Sequence, residues 1–291
     1  MTVPVLIDGH VHVMSADFDR YPKRSDTVNL PGDRTRDRLW QEAAPVTLED
    51  YEQVMDLAGV DRAVLTQPFL AYAGDNSYLV DCVRRRPDRF VAVGAVDLDN
   101  DREPVDTIVR LFAADAIAAV RLFVSGLGVG GSLEDPKAFE IAQLAGKIGR
   151  PVRVHLARNS LKDNAGRLQD LLGQLPETRF ILDACGSPDL KSGAPWPEVQ
   201  PALGLASFRN LSLMVTLNNL LDTDGKAFLT NMVERFGARR LYWGSSFPHT
   251  KGEGYSSLVQ CVVAACGGLN RIDRARFLGG TVSELFPGLV G

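Results

Sequence analysis

Several residue types and patterns are scarce in this chain of 291 residues, and each scarcity excludes a class of protein. The four cysteines contain no CxxC pair and are too few for a disulfide framework, which favours a reducing, cytoplasmic setting. No apolar run approaches the ~20 residues that span a bilayer, and the first residues lack the basic and apolar regions of a signal peptide. We therefore expect a soluble protein without a membrane partner.

The chain also lacks a large excess of positive or negative charge. The chain has 32 basic and 36 acidic residues, a net charge of −4 and no long basic run. Proteins that bind nucleic acid usually concentrate positive charge, so the expected partner is a small molecule rather than a nucleic acid, and a homo-oligomer stays open. With 45% apolar residues, the chain suits one α/β barrel of ~250 residues or two small domains.

Histidine is rare, and two of the four histidines follow one apolar segment near the start of the chain. His10 and His12 are separated by one residue at the end of a predicted strand over residues 5–12. Alternate side chains of a strand share a face, so the two imidazoles would lie about 7 Å apart. They could form half of a metal site, half of an acid/base site, or a hydrogen-bonded pair that caps the strand.

Strand-like and helix-like segments alternate along the rest of the chain. Each apolar, strand-like run precedes a segment with helical spacing, and Thr47 is an expected helix N-cap. The eight predicted strands cover residues 5–12, 62–67, 90–97, 118–124, 151–156, 178–185, 210–217 and 240–246. Eight such units predict a single (β/α)8 barrel over residues 1–291, with an inserted loop at about 14–46. A doubly wound sheet would carry a Gly-rich phosphate loop after the first strand, where Gly9-His10-Val11-His12 stands instead.

The inserted loop is long and polar, and such loops are uncommon unless functional. It follows the strand that carries the histidine pair, so it could cover a site there, with Phe18, Tyr21 and Trp40 lining a pocket. The alternative is that this loop lies on the surface and takes no part in a site.

Reactive side chains of a barrel of this kind collect where the strands end. Arg121 lies in the fourth predicted strand, and Arg153 and His155 share one face of the fifth. Arg153 would lie one layer below His155 and would then need an anionic partner, for which Asp97 is a candidate.

Six segments together resemble the amidohydrolase superfamily, in the branch of aminocarboxymuconate semialdehyde decarboxylase, 2-pyrone-4,6-dicarboxylate lactonase and the sugar-acid lactonases. They are residues 7–12, 75–79, 120–123, 151–155, 182–186 and 243–249. The resemblance covers almost the whole chain. It implies a barrel whose strand-one and strand-five histidines, strand-six histidine and strand-eight aspartate surround a divalent metal, or work without one in the lactonase group.

The chain departs from the family pattern at two positions. Ala184 follows Asp183 where the family has histidine, and Ser246 stands where the family has its aspartate. A serine hydroxyl neither neutralises a bound cation nor accepts a proton from water unaided, so the usual general base is absent. Cys185 could replace a ligand or nucleophile, although a buried structural thiol is the preferred interpretation.

These patterns and the resemblance predict a metal-independent, lactonase-like hydrolase that acts on a small anionic cyclic or enolic carboxylate. The expected catalytic residues are His10, His12, His155 and Ser246, and the expected substrate-binding residues are Arg121, Arg153, Asn76, Trp40 and His249. His155 is the expected proton-transfer group, titrating near neutrality. No cofactor is expected. Zinc on His10, His12 and His155 is one alternative; others are a metal-free cyclase, isomerase or decarboxylase, and a barrel that binds a metabolite without turnover.

Overall fold

Eight parallel strands follow one another around a nearly closed barrel, which confirms the predicted architecture. The structure is a computed structural model and describes residues 5–24, 44–124, 130–249 and 254–289. The strands are β1 (Ile7–Val11), β2 (Arg62–Thr66), β3 (Phe90–Val96), β4 (Ala119–Val124), β5 (Val152–Leu156), β6 (Phe180–Leu182), β7 (Leu211–Thr216) and β8 (Leu241–Gly244). Most are buried along their whole length, as expected of strands covered on both faces.

Helices occupy the connections between strands. In the described ranges the α-helices are Leu48–Leu57, Phe69–Tyr72, Ser77–Arg85, Pro104–Ala113, Pro136–Lys147, Leu161–Gln174, Gln200–Leu203, Leu217–Leu221, Gly225–Phe236, Gly254–Ala265, Arg271–Ala275 and Thr281–Leu285. Thr47 caps the first of them through a reciprocal capping box with Asp50, so the predicted N-cap is confirmed. None of these helices is long and apolar enough to cross a membrane.

Strand β6 is shorter than predicted. Its continuation, Asp183–Gly186, is a tight 3-10 turn in which Ala184 and Cys185 have φ of 50° and 55°. The sequence there is apolar enough for a strand, but left-handed φ values end the extended conformation. The chain therefore bends away directly after Asp183.

The register of neighbouring strands sets the layers inside the barrel. Arg121 of β4 is opposite Arg153 of β5, and Phe123 is opposite His155. The floor below them is an apolar cluster that includes Ile7, Val64, Val93, Ile181, Met214 and Tyr242. The charged layer thus lies above an apolar floor, towards the ends of the strands.

Hydrogen bonds between the ends of β1 and β8 join the first and last strands at the barrel mouth. The Ser246 amide donates to the His10 carbonyl at 2.8 Å, and the His12 amide donates to the Phe247 carbonyl at 2.9 Å. Gly9 permits this closure, because a Cβ there would lie 2.4 Å from the Tyr242 ring. The family-like segments 7–12 and 243–249 therefore lie side by side.

The inserted loop is described only at its two ends. Tyr21 is buried, donates its hydroxyl to Asp81 at 2.5 Å and packs on Tyr78, so its ring lies against the helix Ser77–Arg85. Phe18 is largely exposed. Trp40 and the prediction attached to it lie outside the described residues.

Candidate active site

Asp183 holds two arginines together at the end of the barrel. Its Oδ2 accepts from Nε of Arg121 at 2.8 Å, and its Oδ1 accepts from Nε of Arg153 at 2.8 Å. All three side chains are at most 5% exposed. The register that places the two arginines opposite each other would otherwise oppose like charges, so the shared carboxylate is required for this packing. The two guanidiniums in turn lower the pKa of Asp183, although burial alone would raise it.

Asp183 therefore takes the place that the sequence suggested for Asp97. Asp97 is buried as well, but its carboxylate accepts from the amides of Asp99 and Asn100 and from the Asn100 side chain. That prediction was wrong because the carboxylate of Asp97 is occupied by the loop after β3.

Arg153 is fully buried, and each of its nitrogens has a partner. Besides Asp183, it contacts the Gly9 carbonyl at 3.3 Å and the Thr66 hydroxyl at 3.0 Å through Nη1, and Nδ1 of His10 at 2.5 Å through Nη2. Direct contact with a substrate, as the sequence predicted, does not fit this burial. Arg153 is instead placed to hold His10 and Asp183.

Arg121 is placed differently. Its Nε binds Asp183, while Nη1 and Nη2 donate to no residue in the described part of the chain. The guanidinium lies 5.4 Å from the centre of the Phe123 ring. These two terminal groups, beside a ring and above an apolar floor, can bind a carboxylate or a developing oxyanion.

His10 and His12 project into the same region. Their rings are 4.5 Å apart between centroids and nearly perpendicular, and both side chains are almost fully buried. Nδ1 of His12 lies 2.7 Å from the Thr66 carbonyl oxygen. Burial lowers the pKa of both imidazoles, with the Arg153 charge next in importance for His10 and the Arg121 charge for His12. Both are therefore neutral at physiological pH.

His155 caps a column of stacked rings. It stacks on Phe123, which stacks on Phe69, each at 4.6 Å between centroids. Its Nδ1 is buried, 4.0 Å from the nearest Asp183 oxygen, and has no hydrogen-bond partner in the described ranges. Burial and the neighbouring Arg121 lower the pKa of His155 to about 3. This direction differs from the titration near neutrality that the sequence predicted, because that prediction assumed an imidazole in water.

The depressed pKa of His155 gives a test on stability. The unfolded chain binds a proton at this site below about pH 6.5, whereas the folded chain does so only near pH 3, so this contribution to stability is lost as pH falls between those values. Between about pH 4 and 6, the free energy of unfolding of His155→Asn should depend on pH less steeply than that of the wild type, by up to ~1.4 kcal/mol per pH unit. Urea unfolding over this range measures it. Parallel pH dependences would show that His155 is protonated in the folded protein.

Ser246 and His249 lie at the mouth after β8. Ser246 is half-buried with φ of 56°, and its carbonyl accepts from the His249 amide at 3.0 Å. The His249 side chain is half-buried, and burial together with the Lys23 charge lowers its pKa to about 4. Both residues are placed at the edge of the site, beside the histidine pair.

Asn76 does not fit its predicted substrate contact. Its Nδ2 donates to the carbonyls of Gly74 and Ala95, and its Oδ1 accepts from the Ala95 amide, each at 2.8 Å. These hydrogen bonds occupy the side-chain amide and connect the loop after β2 to strand β3. The family motif around Asn76 is thus explained by backbone support.

Sequence reasoning missed two buried polar residues near the ends of β1 and β7. Asp8 accepts from the amides of His10 and Ser245 and from the hydroxyl of Tyr255 on the helix Gly254–Ala265, so it supports the backbone of the histidine pair from the helical side. Asn218, two residues beyond β7, has a buried Oδ1 without a partner in the described ranges. Asp8 stands in the quoted motif, but no local pattern marks Asn218.

The donor set does not fit a divalent cation. Within the ranges that the structure describes, no three His, Cys, Asp or Glu side chains form a group that could hold a metal. Nδ1 of His10 contacts a guanidinium, whose charge opposes a second cation nearby. Cys185 is fully buried with a pKa raised to about 12, so it offers a neutral thiol rather than a thiolate ligand.

Comparisons with known proteins place this geometry in context. L-fucono-1,5-lactonase of Burkholderia ambifaria is 25% identical over 269 residues, which cover 87% of this chain and 88% of that protein. D-galactarolactone isomerase of Agrobacterium fabrum is 23% identical over 69% of this chain and 66% of its own length. A crystal structure from Pseudomonas putida, provisionally described as a 2-pyrone-4,6-dicarboxylic acid hydrolase, superposes with a TM-score of 0.76 at 22% identity and covers both chains completely.

The family model described as Amidohydrolase matches residues 7–287. The match begins at the first residue of β1 and continues past the last helix, so it includes every strand of the barrel and every residue of the arginine and histidine cluster. This chain belongs to the amidohydrolase family.

Proposed function

We propose that this protein is a metal-independent, lactonase-like hydrolase that acts on a small anionic cyclic or enolic carboxylate. The observation that carries the proposal is the cluster of Arg121, Arg153 and Asp183, two buried cations that share one carboxylate. A buried excess of positive charge favours an anion as the missing partner. Arg121 can bind that anion through its two terminal donor groups, Nη1 and Nη2.

The neutral histidines support hydrolysis rather than binding alone. His10 and His12 lie together beside the anion site, and a neutral imidazole can donate one hydrogen bond and accept another. Such groups can polarise a lactone carbonyl and accept a proton from water without a carboxylate base. We propose that Ser246, which stands where the family has its aspartate, and His249 contact the substrate at the mouth.

The relatives favour sugar-acid or dicarboxylate lactones as substrates. One relative is a fuconolactonase, and the chain matches almost its full length. The partial match to a galactarolactone isomerase supports isomerisation of the same kind of ring as a second candidate. The four cysteines are unpaired thiols, which is compatible with the cytoplasmic location that forms part of this proposal.

Arg121→Ala tests the proposed anion site. Once a panel of sugar-acid and dicarboxylate lactones identifies a substrate, this variant should raise the KM by a factor of roughly 30, because a charge-assisted pair of ~2 kcal/mol is lost. Hydrolysis is followed by proton release or by ring absorbance. A chelator added to the wild type should leave the turnover unchanged.

Arg110→Ala is the matched control, since Arg110 is an exposed arginine on the helix Pro104–Ala113. Its KM should equal that of the wild type. An unchanged KM in Arg121→Ala would remove Arg121 from the substrate site, and a turnover that disappears with chelator would contradict metal independence.

A further inference from the structure

The contact between His10 and Arg153 fixes the position of one proton. Nη2 of Arg153 lies 2.5 Å from Nδ1 of His10, and a guanidinium has only N–H donors and no acceptor. Nδ1 of His10 must therefore accept the hydrogen bond. In a neutral imidazole the proton then sits on Nε2, which makes that nitrogen a donor.

The contact of His12 fixes the opposite arrangement. Nδ1 of His12 lies 2.7 Å from the carbonyl oxygen of Thr66, which can only accept. Nδ1 of His12 must therefore carry the proton. Its Nε2 then has the lone pair and is an acceptor.

Neither partner can rotate to permit the other tautomer. Arg153 is fixed by Asp183 through Nε and by the Gly9 carbonyl and Thr66 hydroxyl through Nη1. The Thr66 carbonyl belongs to a buried strand. Since both histidines are almost fully buried, the wrong tautomer would place two donors or two acceptors face to face without water to separate them.

We propose that His10 and His12 form a polarised pair, with His10 Nε2–H as the fixed donor to a carbonyl oxygen and His12 Nε2 as the fixed proton acceptor. Arg153 is the positioning residue of the pair, and it acts through His10. This inference rests on the proposed hydrolase function and assigns its proton transfers. The pair suits a substrate that offers a carbonyl acceptor next to the point of attack by water.

The step balances without a further reactant. The water oxygen bonds to the lactone carbonyl carbon while its proton passes to Nε2 of His12, and the carbonyl electron pair moves onto oxygen, where Nε2–H of His10 donates to it. When that oxyanion collapses, the ring C–O bond breaks and the leaving oxygen takes the proton back from His12. The product is the open hydroxy acid, and His12 is again neutral.

Nitrogen-15 spectroscopy of the histidines tests the tautomers directly. The chain contains only four histidines, so uniform 15N-histidine labelling of untagged protein gives a small number of signals, which His10→Gln and His12→Gln assign. A long-range proton–nitrogen correlation should show His10 protonated on Nε2 and His12 protonated on Nδ1, unchanged between about pH 5 and 8. The same tautomer on both rings, or a rapid mixture on His10, would overturn the proposal.

Arg153→Gln extends the test to the positioning residue. It should convert His10 to a mixture of tautomers and leave His12 unchanged, whereas Thr66→Val, which keeps the backbone carbonyl, should leave His12 protonated on Nδ1. If Arg153→Gln fails to fold, the wild-type spectrum decides by itself. One equivalent of Zn²⁺ should not shift the His10 nitrogens, and a metal-bound Nε2 would overturn the assignment. The spectrum needs no substrate, so the tautomers can be determined whether or not the protein hydrolyses a lactone.

Discussion

Asp183→Asn should destabilise the folded protein by about 3–5 kcal/mol and remove its activity. Asparagine keeps the size of the side chain but not the charge, so Arg121 and Arg153 would face each other in a buried layer without their shared carboxylate. Removing one partner of a buried ionic group leaves the others unpaired, which costs more than the group contributes when intact. Urea unfolding at neutral pH measures the change in the free energy of unfolding.

Asp97→Asn is the matched control for this experiment. Asp97 is a buried carboxylate directly after strand β3, and within the described ranges its hydrogen bonds come from the loop that follows, through Asp99 and Asn100. Its replacement should cost about 1 kcal/mol, the usual contribution of such capping hydrogen bonds. If Asp183→Asn lost no more stability than Asp97→Asn, the shared carboxylate would not be what holds the two arginines.

The barrel itself could be predicted from the sequence because its strands are short apolar runs separated by helical spacing. Strands β2, β3 and β7 begin and end within one residue of the predicted limits. The largest departure is at β6, where the left-handed conformations of Ala184 and Cys185 follow an apolar run with no glycine before Gly186. The pattern of apolar and polar residues indicates which side chains are buried, but it does not indicate whether φ is positive at a single non-glycine residue.

The partners of the arginines could not be predicted, because they depend on the register between strands. The sequence shows that a buried arginine needs an anion, but both Asp97 and Asp183 follow barrel strands. The selection of Asp183 depends on the turn after β6, which holds its carboxylate between Arg121 and Arg153. Asn76 likewise stands in a family motif, yet only the structure shows that its amide is used by the backbone of β3.

The protonation of the histidines was beyond the sequence for a related reason. His155 was assigned a titration near neutrality from its value in water, whereas burial and the Arg121 charge lower its pKa to about 3. The spacing of His10 and His12 predicted that both side chains lie on one face of the strand. It could not show that one ring faces a guanidinium and the other a carbonyl. Each of these effects arises from residues far apart in the chain.

Ser246→Asp should raise the KM by about tenfold or more without creating a metal site. The backbone tolerates the change, because Ser246 has φ of 56°, a conformation that aspartate adopts more readily than most residues. The new carboxylate would lie beside His10, whose carbonyl accepts from the Ser246 amide. It would compete with an anionic substrate for the positive charge of Arg121 and raise the pKa of the neighbouring imidazoles. His10 would still face Arg153 through Nδ1, so its Nε2 would remain protonated and unable to bind zinc.

Ser246→Asn separates charge from size in this experiment, since it adds nearly the same volume without a negative charge. Its KM should stay within a few-fold of the wild type, and the zinc content of wild type and both variants, measured by elemental analysis after dialysis against Zn²⁺, should stay below one equivalent. The opposite result is a Ser246→Asp protein that binds stoichiometric zinc and turns over the substrate as fast as the wild type. That protein would show that Arg153 does not hold His10 in the donor tautomer, and that the serine replaced a metal ligand without any other change in the site.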